Sequence, residues 1–338
     1  MKKLLKNAVK YILAFGIAGF LIWWSLHGLS LQDKEDIKYA MLSANYLYIL
    51  PVFILLLLSH WFRSLRWQQI IEPLGHKPPA FILLCALLIG YTANQLIPRA
   101  GELVRCTVVA RHEKIHVEKL IGTVIAERSL DMICIAILGI LTFFLEYDHI
   151  HAFTTELFTA FKIYLQNGIT AWHITIVVLS AAAIATFIYI LRKRKRGWGQ
   201  YIIQIFKGIG EGLLSFRKIK NRFSFTVYTV LIWCCYTTAT WVGCYAIQQT
   251  AHLQIGASLV MLITGTFGII IAPGGLGAYP YAIQKTLLLY GINKNIALAF
   301  GWLLWLVQFA FTIIFGVLAF IAINLLNKKY AKHNIGTA

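Results

Sequence analysis

Apolar runs long enough to cross a bilayer recur along this sequence, at about 8 to 28, 46 to 71, 119 to 145, 170 to 191, 223 to 248 and 295 to 325. A hydrocarbon layer about 30 Å thick takes roughly 20 predominantly apolar residues of helix. Within lipid every backbone N–H and C=O must be bonded inside the chain, so helices are the form such runs adopt. The expected fold class is therefore an all-α polytopic membrane protein with six full spans. With 59% hydrophobic and only 13% charged residues in a chain of 338, little is left for a soluble domain. The first run has a basic start like a signal peptide, but it extends from Val9 to about Leu26 with no A-x-A cleavage site, so it reads as a span.

Two further apolar segments, about 80 to 97 and 257 to 290, are interrupted by Pro and Gly. The stretch after Pro98 carries Arg99, Glu102, Arg105, Arg111, His112, Glu113 and Lys114, too polar to cross back through lipid. If 80 to 97 crossed once, those basic residues would lie outside. If the segment dips in and returns, Arg63, Arg66, Lys77, Arg99, Arg105, Arg111, Lys114 and Lys119 all stay cytoplasmic, as the positive-inside rule prefers. Counted this way, 25 of the 31 Lys and Arg residues are cytoplasmic, and Arg128 is intramembrane. Both termini are then expected in the cytoplasm, and the fold has six full spans plus two broken or re-entrant segments, up to eight membrane helices by hydropathy.

The same parity makes the segment 257 to 290 enter and leave from the outside. Each half then reads span, amphipathic linker, span, broken segment, span, with opposite starting sides, which is an inverted-topology repeat of the kind found in secondary transporters. The first half covers residues 1–145 with its re-entrant segment at 80–117, and an outer connection follows at 146–169. The second half covers 170–325 with its broken segment at 257–290, and 326–338 form a basic cytoplasmic tail. In the linker 192–222, Ile202, Phe206, Ile209, Leu213 and Phe216 recur at helical spacing, as in a helix lying in the interface. Residues 31 to 45, with Ile37, Ala40, Met41 and Ala44 on one face, are its weaker outer counterpart, and Phe153, Leu157, Phe161 and Leu165 suggest another surface helix at 149 to 168.

Three polar or glycine-rich constellations stand out. Asn94 to Arg105 breaks a helix at Pro98 and Gly101, freeing backbone groups that must face protein or water. With Asn94, Arg99, Glu102 and Arg105 around it, the break offers guanidinium donors and a helix N-terminus to an anionic headgroup. A plain cytoplasmic turn obeying positive-inside is the blander reading. Glu127, Arg128 and Asp131 fall roughly 12 to 20 Å along their span at ~1.5 Å per residue, where charges must be paired or hydrated. Glu127 and Asp131 share a face at i, i+4, and Arg128 reaches Asp131 at i, i+3. They form either a structural ion-pair knot or a substrate or proton relay. The third constellation, Pro273, Gly274, Gly275, Gly277 and Tyr279, lets backbone approach a ligand closely or, more simply, lets helices pack tightly.

Other signals are weaker. His112-Glu113-Lys114-Ile115-His116 matches the H-E-x-x-H zinc pattern but sits in a short basic linker without an evident third ligand. The six cysteines show no C-x-x-C spacing, and no P-loop, dinucleotide fingerprint or G-x-S-x-G elbow occurs, so no cofactor is expected. A formal charge of +18 could suggest nucleic acid, but the basic residues flank apolar runs rather than forming one patch.

N-x-x-x-P-R-x-G-E-x-x-R at Asn94 to Arg105, E-R-x-x-D at Glu127 to Asp131 and P-G-G-L-G at Pro273 to Gly277 together resemble the lysylphosphatidylglycerol synthase transmembrane family, over nearly the whole chain. The resemblance implies a flippase-like protein of a prokaryotic plasma membrane, moving a phospholipid, aminoacyl-lipid or lipid-linked headgroup between leaflets past those motif residues. Its partners would be membrane lipids and a lipid-modifying enzyme of the same pathway. Only residues 326–338 follow the last span, so the membrane region is expected to stand alone, without lysyl transfer. The competing expectations are a membrane-embedded transferase or hydrolase using Glu102 or Glu127 as base, and a scaffold for an envelope enzyme.

Overall fold

Apolar periodicity becomes helix throughout the described part of the chain. The computed structural model describes residues 30–97, 100–148, 151, 155 and 219–335. Among them are nine α-helices and no strand: α1 Leu31–Leu42, α2 Ile49–Ile71, α3 Ala80–Leu96, α4 Ala100–Glu113, α5 Val117–Leu145, α6 Arg222–Cys244, α7 Ile255–Ile271, α8 Ala278–Leu288 and α9 Lys294–Ile335. Among the described residues, four stretches are long and apolar enough to cross a membrane: Tyr46–Leu74, Val117–Leu145, Arg222–Cys244 and Lys294–Leu326. They coincide with four of the six expected spans. The runs at 8 to 28 and 170 to 191, all of the expected surface helix at 149 to 168 except 151 and 155, and linker residues 192 to 218 lie outside the described residues.

Both interrupted segments fold as pairs of short helices. α3 and α7 have 17 residues each, about 26 Å at 1.5 Å per residue and so shorter than the hydrocarbon layer. α4 turns back along α3, so that a Cβ placed on Gly90 would meet the Gly101 carbonyl oxygen at 2.8 Å and the Arg105 Cβ at 3.1 Å. α8 turns back along α7 in the same way, with Thr264 and Thr286 hydroxyls 2.8 Å apart and Tyr279 against Gly265 and Gly268. Each half therefore has the order long helix, antiparallel short pair, long helix.

Helices of one half pack on helices of the other. α2 packs along α6, α3 along α9, and α5 against α7. Contact of the tilted Tyr48 and Tyr245 rings at one end of the first pair and stacking of Phe62 on Tyr228 towards the other show that α2 and α6 run antiparallel, with ring centroids 5.7 and 6.3 Å apart. α3 meets α9 where the Thr92 hydroxyl donates to the Thr312 carbonyl at 2.9 Å. The apolar core between the halves is built around Leu56, Met261, Phe300 and Phe311. A second core, around Trp67, Leu83, Leu87, Cys106 and Leu120, lies mainly within the first half and takes in Ile219 and Phe225 from the second.

α1 begins with a capping box, in which the Ser30 hydroxyl accepts from the Asp33 N–H at 3.1 Å and the Asp33 carboxylate accepts from the Ser30 N–H at 2.8 Å. It buries Ala40 and packs on α9, where the Asn295 amide donates to Asp33 at 2.7 Å and to Asp36 at 3.2 Å.

Candidate functional site

The helical period on α2 places Val52, Leu56, Ser59, Arg63, Arg66 and Ile70 on its buried side. On α5 the same period buries Leu120, Thr123, Val124, Glu127 and Asp131, while Ile125, Met132, Ile137 and Ile140 face outward. Charged residues thus occupy the inward stripe and apolar ones the outward stripe, as expected where the surrounding solvent is lipid. Arg63 Nη1 donates to Glu127 Oε1 at 2.9 Å and to Asp131 Oδ2 at 2.7 Å. Arg66 Nη2 donates to Asp131 Oδ1 at 2.6 Å and lies 3.5 Å from Glu127 Oε1. From α4, Arg105 Nη2 approaches Glu127 Oε2 at 3.1 Å, and its guanidinium lies 4.8 Å from the Trp67 ring centroid. The Trp67 indole is fixed by donating to Thr123 Oγ1 at 2.9 Å.

Arg63, Arg66 and Arg105, which positive-inside places among the cytoplasmic charges, are buried among the helices, at 4%, 0% and 2% exposure. Burial follows from chemistry: two carboxylates on an apolar span require cations, and α2 and α4 supply them.

Arg128 keeps the i, i+3 partner expected from the sequence, with Nη1 3.9 Å from Asp131 Oδ2, and adds a closer one, donating through Nε to Glu102 Oε1 at 3.2 Å. Both members of the Glu102–Arg128 pair are more than one-third exposed, so they form the rim of the buried cluster. Asn94 Oδ1 accepts the Gly101 N–H at 2.7 Å, satisfying a backbone donor freed by the break. A side chain at Gly101 would collide with the Gly90 carbonyl and with Asn94. Pro98 and Arg99 lie outside the described residues.

The second break uses backbone freedom instead. Pro273–Gly275 form a 3-10 turn, with Gly274, Gly275 and Gly277 at φ of 60°, 71° and 74°, a region that disfavours L side chains. Trp305 Nε1 donates to the Gly274 carbonyl at 2.8 Å. The Gln95 side-chain oxygen from the first break lies directly against Gly274, where a Cβ would collide with it. The two breaks, about 180 residues apart in sequence, therefore meet in space. Beside them an open cleft of about 520 Å³ is lined mainly by apolar side chains, with Val52, Leu56, Tyr236, Tyr279, Leu304 and Val307 around it. Tyr236 lines this cleft, and its ring packs 6.2 Å from that of His60, one turn from Arg63 on α2.

The structure thus gathers Glu102, Arg105, Glu127, Arg128 and Asp131 into one cluster. It places Asn94 and Gly101 beside that cluster and Gly274, Gly275, Gly277 and Tyr279 at the second break. Arg63, Arg66, Gln95, Tyr236 and Trp305 were missed from the sequence. The H-E-x-x-H residues are split: α4 ends at Glu113, Lys114 turns left-handed at φ 55°, and His116 caps α5. The continuous helical turn that zinc binding by this motif requires is broken there.

The profile of a family described as the lysylphosphatidylglycerol synthase TM region matches residues 11–316. No curated protein and no solved structure matches the chain.

Proposed function

The chain belongs to the lysylphosphatidylglycerol synthase TM region family, and on that footing we propose that it carries a lipid between membrane leaflets without altering it chemically. The meeting of the two helix breaks carries this reading: Gln95 abuts Gly274 where two short helix pairs, one from each half, end side by side. Broken helices are tolerated at membrane depth only where protein or a hydrated cavity satisfies their backbone, and paired breaks of this kind form substrate sites in transporters built from inverted repeats. The antiparallel packing of α2 on α6 and the exchanged pairs α3 with α9 and α7 with α5 support such a repeat.

In this reading the headgroup passes the rim pair Glu102–Arg128 and the charged cluster, while the acyl chains follow the apolar cleft to Tyr279 and the second break. Rocking of one half against the other alternates access. Both termini are cytoplasmic, the membrane is the plasma membrane of a prokaryote, and a lipid-modifying enzyme supplies the cargo.

Leaflet exchange of headgroup-labelled lipids in liposomes containing the purified protein tests the proposal. Exchange above that of empty liposomes for at least one lipid class is expected; none across several classes sinks it. Mass spectrometry of the recovered lipid separates this function from a headgroup transferase or hydrolase, which would leave a changed product.

A further inference from the structure

The buried cluster is not electrically balanced. Arg63, Arg66 and Arg105 face Glu127 and Asp131, and adding the rim pair Glu102–Arg128 leaves the excess of one positive charge unchanged. Its hydrogen bonding is incomplete on the same side. Arg66 Nε and Nη1, Arg105 Nε and Nη1, and Arg63 Nε are fully buried and have no acceptor among the described residues. A guanidinium N–H left without an acceptor in a dry interior forfeits its hydration. A structural knot would be expected to cancel its charge and close its bonds. This one does neither: Arg105 Nη2 and Glu127 Oε2 face each other at 3.1 Å without completing a hydrogen bond, and the remaining unpartnered atoms of the cluster are all donors on cations.

From this we infer that Arg66 and Arg105 form a receptor for a phosphodiester oxyanion, reached past the half-exposed Glu102–Arg128 pair. Both side chains close on the Glu127 carboxylate, at 3.5 and 3.1 Å, which holds their planar forks near each other. A phosphodiester brings one negative charge, matching the excess, and its oxygens can accept from two guanidinium forks at once. Trp67 sets the tilt of the Arg105 fork from below. The Glu102–Arg128 bond at 3.2 Å is the contact that must yield as the anion enters, since Arg128 is the cation it meets first. This inference rests on the transport reading for the source of the anion, a lipid headgroup, but the binding chemistry is shared with free phosphate.

The test is a thermal-unfolding titration of the full chain in an uncharged detergent, which reads binding and not leaflet exchange. A protein that binds here but moves no lipid therefore defeats the transport proposal alone. The probes are dihexanoyl phosphatidylglycerol, dihexanoylglycerol, and sodium phosphate against sodium chloride at matched ionic strength. Phosphatidylglycerol is expected to raise Tm while the phosphate-free dihexanoylglycerol does not. A rise with inorganic phosphate assigns the site to the anion itself, and a rise with the phospholipid alone assigns it to the lipid-borne diester. Arg105→Gln removes the excess charge without touching the Asp131 pairs. The expected result is an unliganded Tm at or above that of the wild type, with phosphatidylglycerol bound roughly tenfold or more weakly. Exposed Lys77→Gln should titrate as wild type. Equal stabilisation by both lipids, an Arg105→Gln variant that responds like the wild type, or one that cannot be obtained folded would overturn the inference.

Discussion

The two helix breaks have similar architecture but opposite chemistry. In the first, between α3 and α4, the freed Gly101 N–H is satisfied by a side chain, Asn94, and the returning helix delivers Glu102 and Arg105 to a charged cluster. In the second, between α7 and α8, three glycines at positive φ make the turn, the indole of Trp305 closes the Gly274 carbonyl, and the surroundings are aromatic and aliphatic. One half is thus built to hold charge and the other to present backbone and apolar surface. For the amphipathic cargo proposed above, the two halves would supply charged and apolar surroundings separately.

If that division of labour is right, the largest loss on mutation should come from the carboxylates of the first half. Asp131→Ala leaves Arg63 and Arg66 buried without their shortest partners, and breaking a buried pair from one side costs about 3 to 5 kcal/mol. Unfolding in detergent should register this as a pronounced fall in Tm, far beyond that of Thr264→Val in the second half, where one hydroxyl contact is lost. Comparable losses for the two variants would break the contrast.

Next in size is the close approach at the first break. Gly101→Val drives a side chain into the Gly90 carbonyl and Asn94, and overpacking of this kind costs about 1 to 3 kcal/mol. Gly122→Ala and Gly139→Ala point into open space and should be neutral in the same measurement. The variant should also slow leaflet exchange, because the displaced α3–α4 pair carries Gln95 away from Gly274.

A smaller effect is expected at the second break. Trp305→Phe removes the donor to the Gly274 carbonyl and should cost about 0.5 to 1.5 kcal/mol. Since glycine backbone rather than charge shapes this break, exchange should slow while phosphatidylglycerol binding at the first half is retained. Loss of binding in Trp305→Phe would show that the two regions do not act separately.

Much of this contrast is written in the sequence, and the missing parts have physical reasons. Both breaks follow from Pro and Gly inside apolar runs, and the shared face of Glu127 and Asp131 follows from their i, i+4 spacing. Basic residues near the end of a span satisfy positive-inside without any partner, so that rule alone does not lead from Arg63 and Arg66 to the carboxylates. The signal that could have placed them was present: they continue the buried stripe from Val52 through Leu56 and Ser59, and two carboxylates on another span needed cations. The contact of Gln95 with Gly274 was beyond reach, because periodicity along one helix says nothing about which distant turn it meets.

The smallest predicted effect concerns a polar junction between the halves that lies away from both breaks. Asp33 on α1 accepts from Asn295 on α9 and from the backbone N–H of Ser30. The Asn295 amide, followed by Ser30, holds the Asp33 carboxyl below its usual range. A lowered folded-state pKa means that the carboxylate's contribution to stability is complete above the unfolded value of about 3.9 and fades as pH falls through the lower folded value. Asn295→Ala should therefore lower Tm slightly at pH 7, with the difference from the wild type narrowing only below about pH 4. Unfolding curves for both proteins from pH 7 to pH 3 check this. A difference that stays constant to pH 3 would mean that Asn295 acts through packing on α1 rather than through the Asp33 charge, and that the outer junction, like the second break, owes its stability to shape.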